Sequence, residues 1–210
     1  MFTNFFDCLK DDLSKDLPGE KAQLKMAPGV RDYFKPKTES RKAGVLILLY
    51  PKNQELYVAF IQRTEYNGPH SGQISFPGGK SESTDKDIID TALRESQEEI
   101  GIDPEKVNIF GQLTPLHIPI SNFMVYPVIG RYDTTPSFRI DPNEVKEVIE
   151  IKLKDLLDPS NCTTKEFKYG DLSFLAPIYN PYKLVIWGAT AMILSEFLEV
   201  VQKNKSILRV

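Results

Sequence analysis

Residues 75–102 read SFPGGKSESTDKDIIDTALRESQEEIGI, and this stretch decides the fold. A glycine loop, Pro77-Gly78-Gly79, feeds a helix. Asp85 and Asp87 stand where the positive end of a helix favours anionic side chains. Gly101 stands where a chain leaving a helix needs a residue tolerant of positive φ. At about 100° per residue, Ile89, Leu93 and Ile100 share one stripe, which predicts a core-facing side. Glu95, Glu98 and Glu99 fall at i, i+3 and i+4 on another stripe. Like charges at that spacing repel by roughly 0.2–0.5 kcal/mol per pair. A face with nothing to gain would interleave lysines there, and this one does not. Three carboxylates on one face suit a hard divalent cation, Mg²⁺ or Mn²⁺, which takes oxygen ligands. A backbone carbonyl of the glycine loop can approach the same ion. Arg94 is placed to hold one of the carboxylates in a forked pair.

The stretch resembles the signature of the Nudix hydrolases, which runs Gly, five residues, Glu, seven residues, Arg-Glu, aliphatic, any residue, Glu-Glu, any residue, Gly, aliphatic. Gly79 takes the place of the first glycine, and Arg94, Glu95, Glu98, Glu99, Gly101 and Ile102 fit the second half. Asp85 stands where Glu is usual, with eight residues rather than seven between it and Arg94, and Ser96 replaces the aliphatic residue. The resemblance implies a Nudix-like α/β/α sandwich, of α/β (α+β) class with a mixed sheet between helices. It also implies a hydrolase of phosphoric anhydride bonds that uses Mg²⁺ or Mn²⁺ on Glu95, Glu98, Glu99 and Gly79.

The 210 residues suffice for one full core, and a hydrophobic share of 41% is ordinary for a soluble globular protein. The formal charge of −3, without a basic block, argues against a nucleic-acid surface. It leaves room for a small nucleotide substrate, because a metal site supplies positive charge. Cys8 and Cys162 are too few and too distant for a disulfide framework or a zinc site, which predicts two free thiols in a reducing cytoplasm. Acids interrupt MFTNFFDCLKDDLSKD where a signal peptide would be apolar, and no apolar run reaches membrane-spanning length. The expectation is a cytoplasmic protein with no membrane partner.

Phe2 to Leu17 reads as a short amphipathic helix, and the polar, proline-broken segment 20–41 as an arm laid over the domain. We therefore divide the chain into an N-terminal helix and arm, 1–40, and a catalytic domain, 41–210. GVLILLY, residues 44–50, has the length and unbroken apolarity of a central strand, and 56–63 completes a hairpin with it. Further strands are expected over 107–116, 124–132, 167–179 and 183–187. The segment 141–148 reads as a helix start or a turn, 155–157 as one helical turn, and 188–201 as a closing helix. The arm and the apolar strands would permit a homodimer.

The residues before the signature narrow the substrate. Arg63-Thr64 and the run from His70 to Gly79 resemble the coenzyme A diphosphatase branch of the family, as does Trp187-Gly188-Ala189-Thr190-Ala191. That branch carries a second arginine where this chain has Gly68, and its usual Leu-Leu-Thr is here Ala59-Phe60-Ile61. The resemblance implies hydrolysis of coenzyme A or its derivatives to 3',5'-ADP and 4'-phosphopantetheine. Gly68 keeps an ADP-ribose, dinucleotide or nucleoside triphosphate pyrophosphatase as the alternative, and a non-catalytic nucleotide-binding module stands behind both. Arg63, Gln73, Ser75 and Gly78 are the candidate substrate-binding residues, although Arg63 could equally pair with an acid at its strand end, and His70 suits a loop hydrogen bond. Arg94 orients a signature carboxylate. The general base is open between Glu95 and the DPNEVKEV segment, where Glu144 or Glu147 could fold back to the site.

Overall fold

The structure, a computed structural model, describes residues 2–29, 39–65, 71–169 and 172–204. Gly68, His70 and residues 170–171 lie outside the described residues.

Helix α1 (Thr3–Leu13) and the short α2 (Glu20–Gln23) precede a sheet of eight described strands. These are β1 (Arg41–Lys52), β2 (Glu55–Arg63), β3 (Ile74–Ser75), β4 (Gly78–Lys80), β5 (Val107–Gln112), β6 (Leu116–Ile118), β7 (Phe123–Tyr132) and β8 (Val145–Lys152). The path runs β3-β2-β1-β7-β5, with β8 on β2, β4 on β1 and β6 on β7. β1 and β7 run parallel and the other pairs antiparallel, so the sheet is mixed.

The continuous apolar run of β1 follows from burial on both faces. Leu46, Leu48 and Tyr50 pack towards α3 (Ile88–Ile100), in a cluster with Ala92 and Ile100. Ile47 and Leu49 point the other way, into a cluster with Phe5, Leu9 and residues of α5 (Gly188–Gln202) such as Leu194 and Phe197. Strand side chains alternate between faces, so a strand covered on both sides has no polar positions to spare. Helix α5 is buried around most of its circumference from Ala191 to Val201, which is why its sequence is apolar beyond one stripe.

Several expectations shift in detail. The segment 20–29 is helical over Glu20–Met26 and lies against the domain, with Ala22, Gln23 and Met26 buried. The fully buried Glu196 of α5 accepts hydrogen bonds from Gly19 N, Gln23 Nε2 and Thr114 Oγ1 at 3.1, 2.8 and 2.7 Å, fastening this segment to the domain. The segment 141–148 is a turn over 142–144 that runs straight into β8, and the helical turn α4 is Leu153–Leu156. The expected strand 167–179 is a hairpin of β9 (Cys162–Tyr169) and β10 (Leu172–Tyr179). The expected strand 183–187 begins as a tight turn, because Tyr182 and Lys183 have φ of 55° and 65°; only Ile186 makes a β-bridge, to Tyr179. No helix among the described residues is long and apolar enough to cross a membrane.

Candidate active site

Helix α3 carries the acids, and its ends are set as the sequence predicts. Asp87 caps it, with Oδ1 accepting from Ile89 N and Asp90 N at 2.9 Å each. Gly101 closes it with φ of 69°. Gly44 lets the helix approach the sheet: a Cβ there would lie 2.7 Å from Ile88 O. Ser96, in the position where the family pattern has an aliphatic residue, is buried and turns its hydroxyl back to Ala92 O at 2.6 Å.

Asp85 does not lie along the helix start as a free anion. Arg94 grips it bidentately, Nε to Oδ1 at 2.8 Å and Nη2 to Oδ2 at 3.1 Å. Thr91 Oγ1 and Glu82 N also donate to Asp85. The Arg94 guanidinium, ahead of these, holds the Asp85 carboxyl well below the usual range. Arg94 then spends Nη1 on Glu95 Oε1 at 2.9 Å and Glu98 Oε2 at 3.1 Å, and Nη2 on Lys80 O at 3.0 Å. One guanidinium therefore ties the loop after β4 to two carboxylates of the acidic face.

The glycine loop meets the acids at contact distance. Gly78, with φ of 143°, donates its N–H to Glu99 Oε2 at 2.7 Å. A Cβ on Gly78 would fall 2.3 Å from Gly44 O, and one on Gly79 would fall 2.2 Å from Glu95 Oε2. Neither position can carry a side chain without moving its neighbours. Arg63, aimed by a register shift in the β2–β8 pairing, places Nη1 3.2 Å from Glu99 Oε1. It thus contacts an acid at its strand end. Gln73 O accepts from Arg63 N at 3.0 Å. Ser75 Oγ is buried without a hydrogen-bond partner among the described residues.

The acids are in unequal environments. Glu99 is 2% exposed, and burial pushes its carboxyl up to about 7, against the pull of Gly78 N–H and Arg63. Burial also raises Glu95, opposed by Arg94 and reinforced by Glu98 and Glu144. Glu98 is 60% exposed and turned onto Arg94. Accordingly, no three acidic, histidine or cysteine side chains among the described residues stand together as a ligand set. The gathered trio expected from the helix spacing is thus not formed in this arrangement; Arg94, one turn before Glu98, draws that carboxylate aside. The donor set nevertheless fits a hard divalent cation. Glu95 Oε2 and Glu98 Oε1 accept no hydrogen bond among the described residues, and burial together with the neighbouring acids outweighs Arg94 at Glu95 and Arg63 at Glu99.

Glu144 lies in a turn fastened to the site: Asp141 N donates to Glu99 O at 3.1 Å and Thr64 N to Glu144 O at 3.0 Å. Its charge bears on both Glu95 and Glu99. Glu147 is exposed on β8 opposite Gln62.

The profile of the NUDIX domain matches residues 40–169. The chain belongs to the Nudix hydrolase family. The uncharacterized Nudix hydrolase NudL of Pectobacterium atrosepticum is 32% identical over 176 residues, 83% of this chain and 88% of that protein. The human mitochondrial coenzyme A diphosphatase NUDT8 is 32% identical over 181 residues, 84% of this chain and 71% of its own. Nudix hydrolase 22, chloroplastic, of Arabidopsis thaliana is 36% identical over 203 residues, 93% of this chain and 64% of its own. The crystal structure of RenU, a Nudix hydrolase from M. smegmatis, superposes with a TM-score of 0.53 at 14% identity, over 78% of this chain and 87% of that one, a likeness of fold alone. Nudix hydrolases act on small nucleotide substrates and generally use divalent metal ions.

Proposed function

We propose that this Nudix hydrolase cleaves the diphosphate linkage of coenzyme A or its derivatives, giving 3',5'-ADP and 4'-phosphopantetheine. One observation carries the reading: the stretch that resembles the coenzyme A branch, Arg63 to Gly79, is in direct contact with the acidic face, through Arg63 and Gly78 on Glu99. The curated relatives named as coenzyme A diphosphatases, such as human NUDT8, add to it.

In this reading Glu95, Glu98, Glu99 and the Gly79 carbonyl hold Mg²⁺ or Mn²⁺. The cation supplies Lewis acidity: it neutralises phosphate oxygens and makes a water more acidic. Arg94 orients Glu95 and Glu98 and touches no substrate. Arg63, Gln73, Ser75 and Gly78 face the diphosphate, Arg63 and Gly78 from beside Glu99. Glu144 takes the proton of the attacking water, since it is exposed and acts electrostatically on both Glu95 and the buried Glu99. Free thiols at Cys8 and Cys162 suit a reducing cytoplasm as the working compartment.

Gly68, in place of the branch's second arginine, favours a second reading: a pyrophosphatase for ADP-ribose, dinucleotides or nucleoside triphosphates. The experiment is a panel of coenzyme A, its acyl esters, ADP-ribose, a dinucleotide and ATP with Mg²⁺ or Mn²⁺, products resolved by chromatography. The coenzyme A reading expects the highest kcat/KM for coenzyme A or an ester, with 3',5'-ADP released. ADP-ribose at the head of the panel would overturn it.

A further inference from the structure

The two arginines of the site are used very differently. Arg94 contacts Asp85 through two nitrogens and reaches Glu95, Glu98 and Lys80 O as well. A guanidinium so fully engaged, in a fork that matches its partner, is fixed in place. Arg63 makes one side-chain contact among the described residues, a single 3.2 Å bond from Nη1 to Glu99 Oε1. A guanidinium has five N–H donors, so most of those of Arg63 are unspent. Its side chain is 25% exposed, whereas that of Glu99 is 2% exposed.

Glu99 therefore has a buried carboxylate and, among the described residues, one cationic neighbour, held by one long bond. A buried carboxylate deprived of its cation is strongly disfavoured. A divalent cation on Glu99 would meet that need better, and it would repel a guanidinium a few ångströms away. The register shift between Gln62 and Arg63 falls at the end of β2, where Arg63 N donates to Gln73 O. From there a released head needs only side-chain rotation to turn outward.

We propose that Arg63 is an exchangeable counter-ion: it balances Glu99 while no divalent cation is bound, and cation binding frees it to grip the substrate's diphosphate. The exchange rests on the reading that Glu99 ligates the cation, and it is independent of which nucleotide is hydrolysed. It also orders events. The arginine becomes available to the diphosphate only once the cation is in place, so the two ligands reinforce each other's binding.

The test is Mn²⁺ affinity of the full chain without substrate, by calorimetry or by the loss of the free-ion paramagnetic resonance signal. Arg63→Gln removes the competitor, so it is expected to bind Mn²⁺ about 5- to 20-fold more tightly than wild type, with Arg63→Lys close to wild type. Equal or weaker binding by Arg63→Gln would overturn the exchange and make Arg63 a fixed support for Glu99. A second measurement avoids substitution altogether. Titrating the wild-type protein with Mg²⁺ should move the Arg63 guanidinium ¹⁵N resonance over the same concentrations as the Glu99 carboxyl ¹³C resonance. An arginine signal that stays put while the carboxyl moves would also overturn it. Failure of wild type and both variants to bind Mn²⁺ would overturn the cation reading of the site, and the exchange with it; a failed substrate panel would touch neither.

Discussion

Replacing Glu99 with Gln removes a charge from a place where burial already disfavours it. The Glu99 carboxyl is pushed from its ordinary value of 4.5 up to about 7, chiefly by desolvation, with Gly78 N–H and Arg63 opposing. Below pH 4.5 the group is protonated both folded and unfolded, so it adds no pH dependence. Between 4.5 and 7 the folded protein keeps a proton that the unfolded chain releases, so stability falls as pH rises. Above 7 the folded state bears the full penalty. At roughly 1.36 kcal/mol per pH unit, that interval is worth about 3 kcal/mol. Gln is neutral throughout and keeps an oxygen for the Gly78 N–H. In chelator, Glu99→Gln and wild type should be of similar stability at pH 4.5, and the variant more stable by about 3 kcal/mol at pH 8. For a chain of this size that corresponds to a melting temperature higher by roughly 6–12 °C. Mg²⁺ should narrow the gap by stabilising wild type selectively. The same variant should lose on the order of 10²-fold or more in turnover, since a cation ligand is gone. Urea unfolding in chelator at pH 4.5, 6 and 8 checks the stability claim. A stability difference that does not change with pH, or a wild type more stable at pH 8, would refute the reasoning.

The remaining expectations concern the neighbours of Glu99. Arg94→Lys keeps one charge but loses the fork onto Asp85, so urea unfolding should show a loss of about 1.5–3 kcal/mol, with turnover reduced as Glu95 and Glu98 lose their common anchor. Gly79→Ala forces the Glu95 carboxylate away, since the new Cβ would lie 2.2 Å from Oε2; the protein should fold with little change in melting temperature yet lose roughly 10²-fold in kcat. Glu144→Gln should lower kcat by roughly 10²-fold or more and leave KM near wild type, whereas Glu147→Gln should change kcat by less than about threefold, which steady-state kinetics on the best substrate of the panel will read.

Where a single local rule governed a segment, the sequence told its structure directly. The bounds of α3 follow from a capping aspartate and a left-handed glycine, and β1 from an apolar run that only a doubly covered strand can use. The glycines at 78 and 79 were legible as a loop, but their necessity came from contacts with Gly44 and Glu95 that no spacing displays. Asp85 looked like a helix-dipole residue, yet its partner is Arg94, nine residues on; the extra residue in the loop is accommodated while the fork is kept. The first part of β9 is not legible because its exposed residues, Thr163 to Glu166, are polar, and the expected strand begins at Phe167, which packs on Trp187. The proline-broken appearance of the first forty residues concealed the buried helical turn that Glu196 anchors, a partner more than 170 positions away. The posture of Glu98 was equally hidden: helix periodicity puts it on the acidic face, and the competition for Arg94 decides where its carboxylate points.

The whole account turns on a cation resting on the acidic face of α3. Crystals soaked in Mn²⁺ and measured at the manganese absorption edge test this directly. The account predicts an anomalous peak within ligand distance of carboxylate oxygens from Glu95, Glu98 and Glu99, with Glu98 swung in from Arg94. A peak housed elsewhere in the molecule, or none at this face at saturating Mn²⁺, would contradict it.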